Sequence, residues 1–263
     1  MKELSSTETK VLKRLGLPVS FDFTRYAIPS PKITKPVSIL VLSDLHDEEY
    51  GTHMERLLSA VHDAHPDLIL MPGDMAQRGE QEHTMEFMHR LRDYPCYYST
   101  GNHEEFRWDL SELLDEIEDT GVHVLDRKEE CIIVNDTKLE LVGMPSMISE
   151  EEYTAEDINA LFREDCFRIL LCHKPHHADM YRKCQCDLIV SGHAHGGQWR
   201  LPGTDLSAIA PQQGLFPKYT SGMHDMGQAK LVISRGLTTH YHGIPRLFNN
   251  PELVMVELMP EVK

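Results

Sequence analysis

The sequence lacks three features that would each define a class of protein. It has no apolar run near the roughly 18 residues that cross a bilayer, and its first residues lack the apolar core of a signal peptide. Its six cysteines form no C-x-x-C pair, so neither a zinc module nor a disulfide framework is indicated. We therefore predict a cytoplasmic protein with reduced thiols and no transmembrane segment.

Positive charge is also scarce. Lysine and arginine number 26 against 42 aspartates and glutamates, which makes the formal net charge −16. A protein that neutralises a nucleic-acid backbone usually has a basic face, so we do not expect a long nucleic acid as the partner. A small anion held by metal ions is compatible with this charge. Nothing in the sequence indicates the oligomeric state.

Short apolar runs that end in polar loops, often with a helical pattern after them, predict an α/β fold. Ten such runs indicate two packed sheets: residues 37–42, 68–71, 96–99, 122–125, 131–134, 139–142, 168–172, 188–190, 231–234 and 253–258. Apolar stripes at helical spacing predict helices over residues 55–64, 81–91 and 109–120. These stripes are expected to face the core.

Two segments fall outside this pattern. Residues 1–35 are predicted to form an N-terminal extension that packs on a main domain of residues 36–263, with a short helix from Thr7 to Leu15. Residues 198–230 are rich in glycine, proline and glutamine and have little periodicity. A long irregular segment of this kind is commonly a functional loop or lid.

Polar side chains follow five of the predicted strands. They are Asp44 and His46; Asp74; Asn102 and His103; His173; and His193 and His195. Because the carboxyl ends of parallel strands share one edge of a sheet, these loops can converge on one site. In three of these loops a glycine directly precedes a candidate ligand: Gly73, Gly101 and Gly192. A tight turn or a close approach of the chain requires glycine at such a position.

The types of side chain select the chemistry of that site. Carboxylates, imidazoles and one carboxamide oxygen, with no thiolate, suit borderline divalent ions. At least seven potential ligands are present, more than one tetrahedral ion binds, so two ions with a carboxylate between them are the economical interpretation. Manganese, iron, zinc and magnesium all stay open, because ligand type alone does not distinguish them.

The chain resembles the calcineurin-like metallophosphoesterases from residue 37 to residue 258, through the ordered motifs Asp44-x-His46, Gly73-Asp74, Gly101-Asn102-His103-Glu104, His173 and Gly192-His193-x-His195. Residues 196–198, 234–237 and 243–246 resemble the branch of small phosphodiesterases that includes pyrophosphatases of lipid-linked nucleotide sugars. The fold that this resemblance implies is a two-sheet β-sandwich flanked by α-helices.

The same resemblance implies a role for each residue of the motifs. Asp44, His46 and His195 would hold one divalent ion, and Asn102, His173 and His193 would hold a second, with Asp74 bridging the two. A hydroxide shared by the ions would attack phosphorus in line. His103 would be the second catalytic residue beside Asp74, stabilising the transition state or protonating the leaving oxygen.

Two positions depart from the pattern of the family. Gln77 stands where many relatives have an aspartate that orients the catalytic imidazole, and its amide oxygen can accept the same hydrogen bond without supplying charge. Glu104 stands where relatives often have aspartate, and we expect it to support its loop from behind the ligands.

The function predicted first is a phosphodiesterase or pyrophosphate-bond hydrolase with a small phosphoester or nucleotide-type substrate, and a lipid-linked substrate stays open. One alternative is a phosphomonoesterase that acts on proteins or nucleotides. Another is a non-catalytic metal-binding scaffold, which the presence of all seven ligands disfavours. Arg235 and Arg246 could clamp a substrate phosphate or could pair with carboxylates of this acidic chain.

Overall fold

Two six-stranded sheets make up the body of the protein in the computed structural model. The model describes residues 10, 14–15, 20–146, 153–204, 206–241 and 243–261. The helix expected from Thr7 to Leu15 lies almost wholly outside these residues. No helix in the described part of the chain has the length and apolar character needed to cross a membrane.

The strands of the first sheet are β1 (Asp22–Ser30), β2 (Val37–Val41), β3 (Leu68–Pro72), β4 (Cys96–Ser99), β5 (His123–Val124) and β16 (Glu252–Pro260). Their order across the sheet is β1-β16-β2-β3-β4-β5. Strands β2 to β5 run parallel, and the chain between them carries α1 (Glu55–Ala64), α2 (Glu82–His89), α3 (Asn102–Glu105) and α4 (Leu110–Asp119). Helical crossovers are the usual way to join parallel neighbours.

The strands of the second sheet are β6 (Lys128–Val134), β7 (Thr137–Met144), β8 (Phe167–Cys172), β9 (Leu188–Ser191), β12 (Gly222–Asp225) and β13 (Lys230–Ile233), with helices α5 (Ala155–Leu161) and α6 (Ala178–Tyr181) beside them. Their order is β12-β13-β9-β8-β7-β6. Two short antiparallel ribbons complete the fold: β10 (Ile209–Ala210) with β11 (Gly214–Leu215), and β14 (His240–Tyr241) with β15 (Ile244–Pro245).

The apolar core forms three layers, which explains why the central strands are apolar without alternation. Ile39 of β2 faces the second sheet and lies in the same layer as Leu139 of β7 and Ile169 of β8. Leu40, on the opposite face of β2, packs in the layer that holds Leu57 of α1. A third layer lies between the second sheet and helices α5 and α6. A strand covered on both faces is therefore apolar at nearly every position.

The predicted two-sheet sandwich with flanking helices is confirmed. Each of the ten predicted runs overlaps a strand, and α1 has the predicted bounds of residues 55–64. The strand β1 was not predicted. It lies before residue 36 but pairs with β16 along its whole length, from Asp22 opposite Glu252 to Ser30 opposite Pro260. The domain boundary at residue 35 stays a prediction.

Candidate metal centre

The carboxyl ends of β2, β3 and β4 in the first sheet meet those of β8 and β9 in the second, and the loops after them converge. Three groups of potential ligand atoms form there, each with its atoms within 4.8 Å of one another: Asp44, His46 and His195; His46, Asp74 and His103; and Asp74, His173 and His193. The convergence predicted from the strand ends is therefore present. Asp74 and His46 each belong to two groups.

The first group contains two imidazoles that face each other. His46 Nε2 lies 3.2 Å from His195 Nε2, and His195 Nε2 lies 3.6 Å from Asp44 Oδ1. Burial lowers the pKa of His46 to about 3 and lowers the pKa of His195 well below its ordinary value. Both rings are thus neutral near pH 7, which is the form that binds a metal ion.

The third group, Asp74 with His173 and His193, is arranged around Asp74. His173 Nε2 lies 3.0 Å from Asp74 Oδ2, while its Nδ1 donates to the carbonyl oxygen of Pro72 at 2.7 Å. Burial alone would lower the pKa of His173, but the carboxylates of Asp74 and Asp44 raise it to about 9. A proton on His173 thus balances buried negative charge at a position where a divalent cation would do the same.

The two carboxylates at the centre are almost fully buried. Burial, together with the charge of Asp74, raises the pKa of Asp44 to about 6. Burial would also raise the pKa of Asp74, but the neighbouring imidazoles of His173 and His46 lower it well below its ordinary range. Paired buried carboxylates are costly unless cations compensate them, so this cluster favours metal binding.

Asn102 supplies the remaining predicted ligand. It is the first residue of α3, and its Oδ1 is buried without a hydrogen-bond partner among the described residues. A buried carbonyl oxygen left in this state is unfavourable by about 1–3 kcal/mol. Together with the carboxylates and imidazoles around it, this oxygen fits the donor set of divalent ions such as manganese, iron, zinc or magnesium.

His103 lies beside the centre and is held from both ends. Its backbone N–H donates to Asp74 Oδ1 at 2.8 Å, and its Nδ1 is in hydrogen-bond contact with Gln77 Oε1. An amide oxygen only accepts, so Nδ1 carries the proton in this contact. The expected hydrogen bond between Gln77 and His103 is therefore formed. Unlike an aspartate, Gln77 adds no negative charge there.

Glu104 ties the backbone of two loops together. Its carboxylate accepts from the backbone N–H groups of Asp74 at 3.0 Å, Ala76 at 2.9 Å and Gly101 at 2.9 Å. Glu104 itself is fully buried. Burial, together with the charge of Asp74, raises the pKa of Glu104 to about 7. Its three hydrogen bonds therefore act on the loops that carry Asp74 and Asn102.

Left-handed backbone occurs at the centre as well as in loops elsewhere among the described residues. Five of the predicted ligands have left-handed backbone conformations, with φ from 47° to 68°: Asp44, His46, Asp74, His193 and His195. Such conformations are unfavourable by about 1 kcal/mol or more each and persist only where the surroundings enforce them. Their clustering marks this edge of the sandwich as a functional site, and the sequence carries no signal of it.

Two glycines allow the loops to approach each other. A Cβ on Gly101 would overlap Asp74 Oδ1, and a Cβ on Gly192 would overlap Asp44 Oδ2. No side chain fits in either position, which confirms the predicted close approach of the chain.

We expect the substitution Gly101→Ala to weaken metal binding by about tenfold or more, since the new methyl group must displace the carboxylate of Asp74. Titration of the metal-free variant with Mn²⁺ in a calorimeter measures this. Gly203→Ala is the control for a strained glycine-to-alanine change outside the centre, because its φ of 73° disfavours alanine while the added Cβ meets nothing within 4 Å. Equal affinities of Gly101→Ala and the unchanged protein would contradict the assignment of Asp74 as a ligand.

Several residues near the centre were not predicted. Gln212 Oε1 lies 3.1 Å from His193 Nε2, and Asn249 Nδ2 donates to the carbonyl oxygen of His195 at 2.7 Å. Gln212 belongs to the segment 198–230, so this part of the predicted functional loop does reach the centre. A lone glutamine or asparagine in an aperiodic loop has no pattern by which the sequence could identify it.

The two arginines considered as phosphate clamps differ in their partners. Arg235 Nη2 forms ion pairs with Glu252 and Asp22, each at 3.0 Å, so the pairing with carboxylates is the alternative that the structure supports. Arg246 is fully buried, and its guanidinium nitrogens have no hydrogen-bond partner among the described residues. Burial lowers the pKa of Arg246 to about 10.

Comparison with known proteins agrees with this geometry. Residues 37–197 match the model of the calcineurin-like phosphoesterase family. An uncharacterized metallophosphoesterase of Campylobacter jejuni is 26% identical over 246 residues, which cover 87% of this chain and 60% of the relative. The phosphodiesterase YaeI of Escherichia coli is 28% identical over 241 residues, which cover 85% of this chain and 83% of YaeI.

Solved structures share the fold at low sequence identity. The 5′-nucleotidase precursor of Thermus thermophilus superposes with a TM-score of 0.52 at 16% identity, covering 86% of this chain and 54% of the nucleotidase. The NAD nucleotidase of Haemophilus influenzae gives a TM-score of 0.51 at 17% identity, covering 76% of this chain and 45% of that enzyme. The chain thus spans about half the length of these two proteins, and the likeness establishes the fold alone.

Proposed function

The chain belongs to the calcineurin-like phosphoesterase family, and on that premise we propose that it hydrolyses phosphodiester or pyrophosphate bonds of small phosphoester or nucleotide-type substrates with the help of two divalent ions. The observation that carries this proposal is the position of Asp74, whose carboxylate belongs to two neighbouring groups of potential ligands. The similarity to a relative named as a phosphodiesterase supports the preference for diesters.

In this proposal the seven predicted ligands divide into two sets. Asp44, His46 and His195 would hold one ion, Asn102, His173 and His193 would hold the other, and Asp74 would serve both. When bound, two divalent ions neutralise phosphoryl oxygens and lower the pKa of bound water toward about 7. Manganese is the ion to test first, with iron, zinc and magnesium as the alternatives.

The chain's own residues orient the site and move protons. Gln77 holds Nδ1 of His103, so His103 would exchange a proton with the substrate through Nε2. We assign it the protonation of the leaving oxygen, a role in which one acid–base group contributes roughly 10² to 10⁴ in rate. Glu104 keeps the loops of Asp74 and Asn102 in register through its three backbone hydrogen bonds.

We further propose that residues 36–263 form the catalytic domain and that residues 1–35 form an extension of it. The family match within residues 37–197 supports the first part, and the pairing of β1 with β16 supports the second. The cytoplasm is the proposed compartment.

The test compares two reporter substrates on protein purified without chelator. We expect Mn²⁺-dependent hydrolysis of bis(p-nitrophenyl) phosphate, faster than hydrolysis of p-nitrophenyl phosphate, together with metal bound to the protein in elemental analysis. Excess EDTA should abolish turnover, and Mn²⁺ should restore it. A strong preference for the monoester would favour a phosphomonoesterase, and the absence of both metal and turnover would favour a non-catalytic scaffold.

A further inference from the structure

A cavity of about 550 Å³ opens directly beside the candidate metal centre. Its lining is mostly apolar and includes Trp199, Ile209, Ala210, Pro211 and Ile244, with His195 in its wall. His195 is also a member of the group formed with Asp44 and His46. A molecule in this cavity therefore lies against a side chain of the metal centre.

The walls of the cavity come from the two short ribbons and from the chain that follows His195, and hydrogen bonds join these parts. Trp199 Nε1 donates to the carbonyl oxygen of Pro245 at 3.1 Å, and Gln198 Nε2 donates to the carbonyl oxygen of Ile244 at 2.6 Å. These bonds hold the β14-β15 ribbon against the residues after His195. The cavity is thus a built feature of the loops and not a gap between unconnected segments.

Apolar side chains are exposed at this cavity to an unusual degree. Trp199, Ile209 and Ile244 are 45%, 49% and 46% exposed, and Leu215 and Phe216, which follow the lining residue 214, are 73% and 76% exposed. None of the described lining residues is an aspartate, glutamate, lysine or arginine. A cavity that recognised a charged group would present charged partners, whereas exposed apolar side chains gain free energy when an apolar ligand covers them.

We propose that this cavity binds a hydrocarbon chain that belongs to the substrate itself. The inference rests on the proposed function, since it is the phosphorus of the same molecule that lies at the metal centre. In the hydrolysis, one P–O ester bond breaks, the oxygen of water bonds to phosphorus, and a proton of water passes to the leaving oxygen. The hydrocarbon chain stays against Trp199, Ile209 and Ile244 during this step.

A series of p-nitrophenyl alkyl phosphates, from methyl to octyl at concentrations where all are monomeric, tests the proposal with the Mn²⁺-loaded protein. We expect kcat/KM to rise by about twofold for each added methylene. This corresponds to about half of the free energy gained when a methylene is fully buried, because the cavity is open to water. Ile209→Asn should reduce this slope. Ile133→Asn is the matched control, because Ile133 is also an exposed isoleucine, 75% exposed, but lies on β6 of the second sheet and not in the cavity.

The outcomes distinguish failure of the proposed hydrocarbon site from failure of the proposed function. Turnover of the methyl ester with no dependence on chain length would overturn the hydrocarbon site and leave the proposed function intact. Absence of turnover for every ester would contradict the proposed function.

Binding of a ligand to the cavity can also be measured without turnover. The chain has two tryptophans, and Trp108 is 94% exposed, so Trp108→Phe leaves Trp199 as the only reporter. Titration of this variant with n-alkylphosphonates should change Trp199 fluorescence with an affinity that increases with chain length. Equal affinities for methyl- and octylphosphonate would overturn the proposed hydrocarbon site.

Discussion

The substitution Asp74→Asn is expected to lower Mn²⁺-dependent turnover of bis(p-nitrophenyl) phosphate by roughly a thousandfold, equivalent to about 4 kcal/mol. The asparagine keeps an oxygen that can accept the hydrogen bond from the backbone N–H of His103, so the loop geometry is preserved. What it loses is the negative charge shared by the two ligand groups. Steady-state kinetics and elemental analysis of the same sample measure the effect, and we expect both turnover and bound metal to fall.

A matched aspartate controls for the general effect of removing one negative charge. Asp115 lies on the exposed face of α4, and Asp115→Asn should leave turnover and metal content unchanged. If Asp74→Asn retained the activity and the metal content of this control, the assignment of Asp74 to the position between two ions would be wrong. Circular dichroism and the thermal midpoint of each variant distinguish a lost ligand from a lost fold.

The central strands were predictable because burial on both faces requires mostly apolar residues. Val37, Ile39 and Val41 pack between the sheets while Leu40 packs under the helices, so the run is apolar except at Ser38. The edge strand β1 has no such constraint. Alternate residues along it are exposed, and Pro29 is tolerated because an edge strand need not donate every backbone hydrogen bond. Its pairing with β16 is a long-range contact that no local pattern encodes.

The same distinction explains what could be predicted of the site. Asp44, Asp74 and His173 follow central strands whose ends are easy to recognise, so their convergence follows from sheet geometry. Gln212 and Asn249 reach the centre only through the course of long loops. The left-handed backbone of the ligand residues was also not predictable, because aspartate and histidine adopt it more often than most residues but their presence alone does not indicate where.

With a phosphodiester whose leaving group is an alkoxide and needs a proton, replacing His103 by alanine is expected to reduce kcat by about a hundredfold while metal content stays the same, since an acid–base group contributes at least this much and the seven predicted ligands remain. The His103 ring does belong to a group with His46 and Asp74, so the measurement also decides between two roles for it. A loss of turnover with unchanged metal content supports proton transfer. A parallel loss of metal would make His103 a ligand, and unchanged turnover would remove it from the mechanism.

The isosteric variant Gln77→Glu tests proton transfer by His103 through the pH profile of kcat, which a merely structural role of His103 would leave unchanged. The glutamate keeps an oxygen where Gln77 Oε1 contacts His103 Nδ1, but it adds a negative charge beside the ring. A neighbouring carboxylate favours the protonated imidazole, so the basic limb of the pH profile of kcat should shift to higher pH. His103→Ala should lose this limb. An unshifted limb in Gln77→Glu would assign it to a group other than His103, and the loss of activity in His103→Ala would then reflect altered packing at the centre.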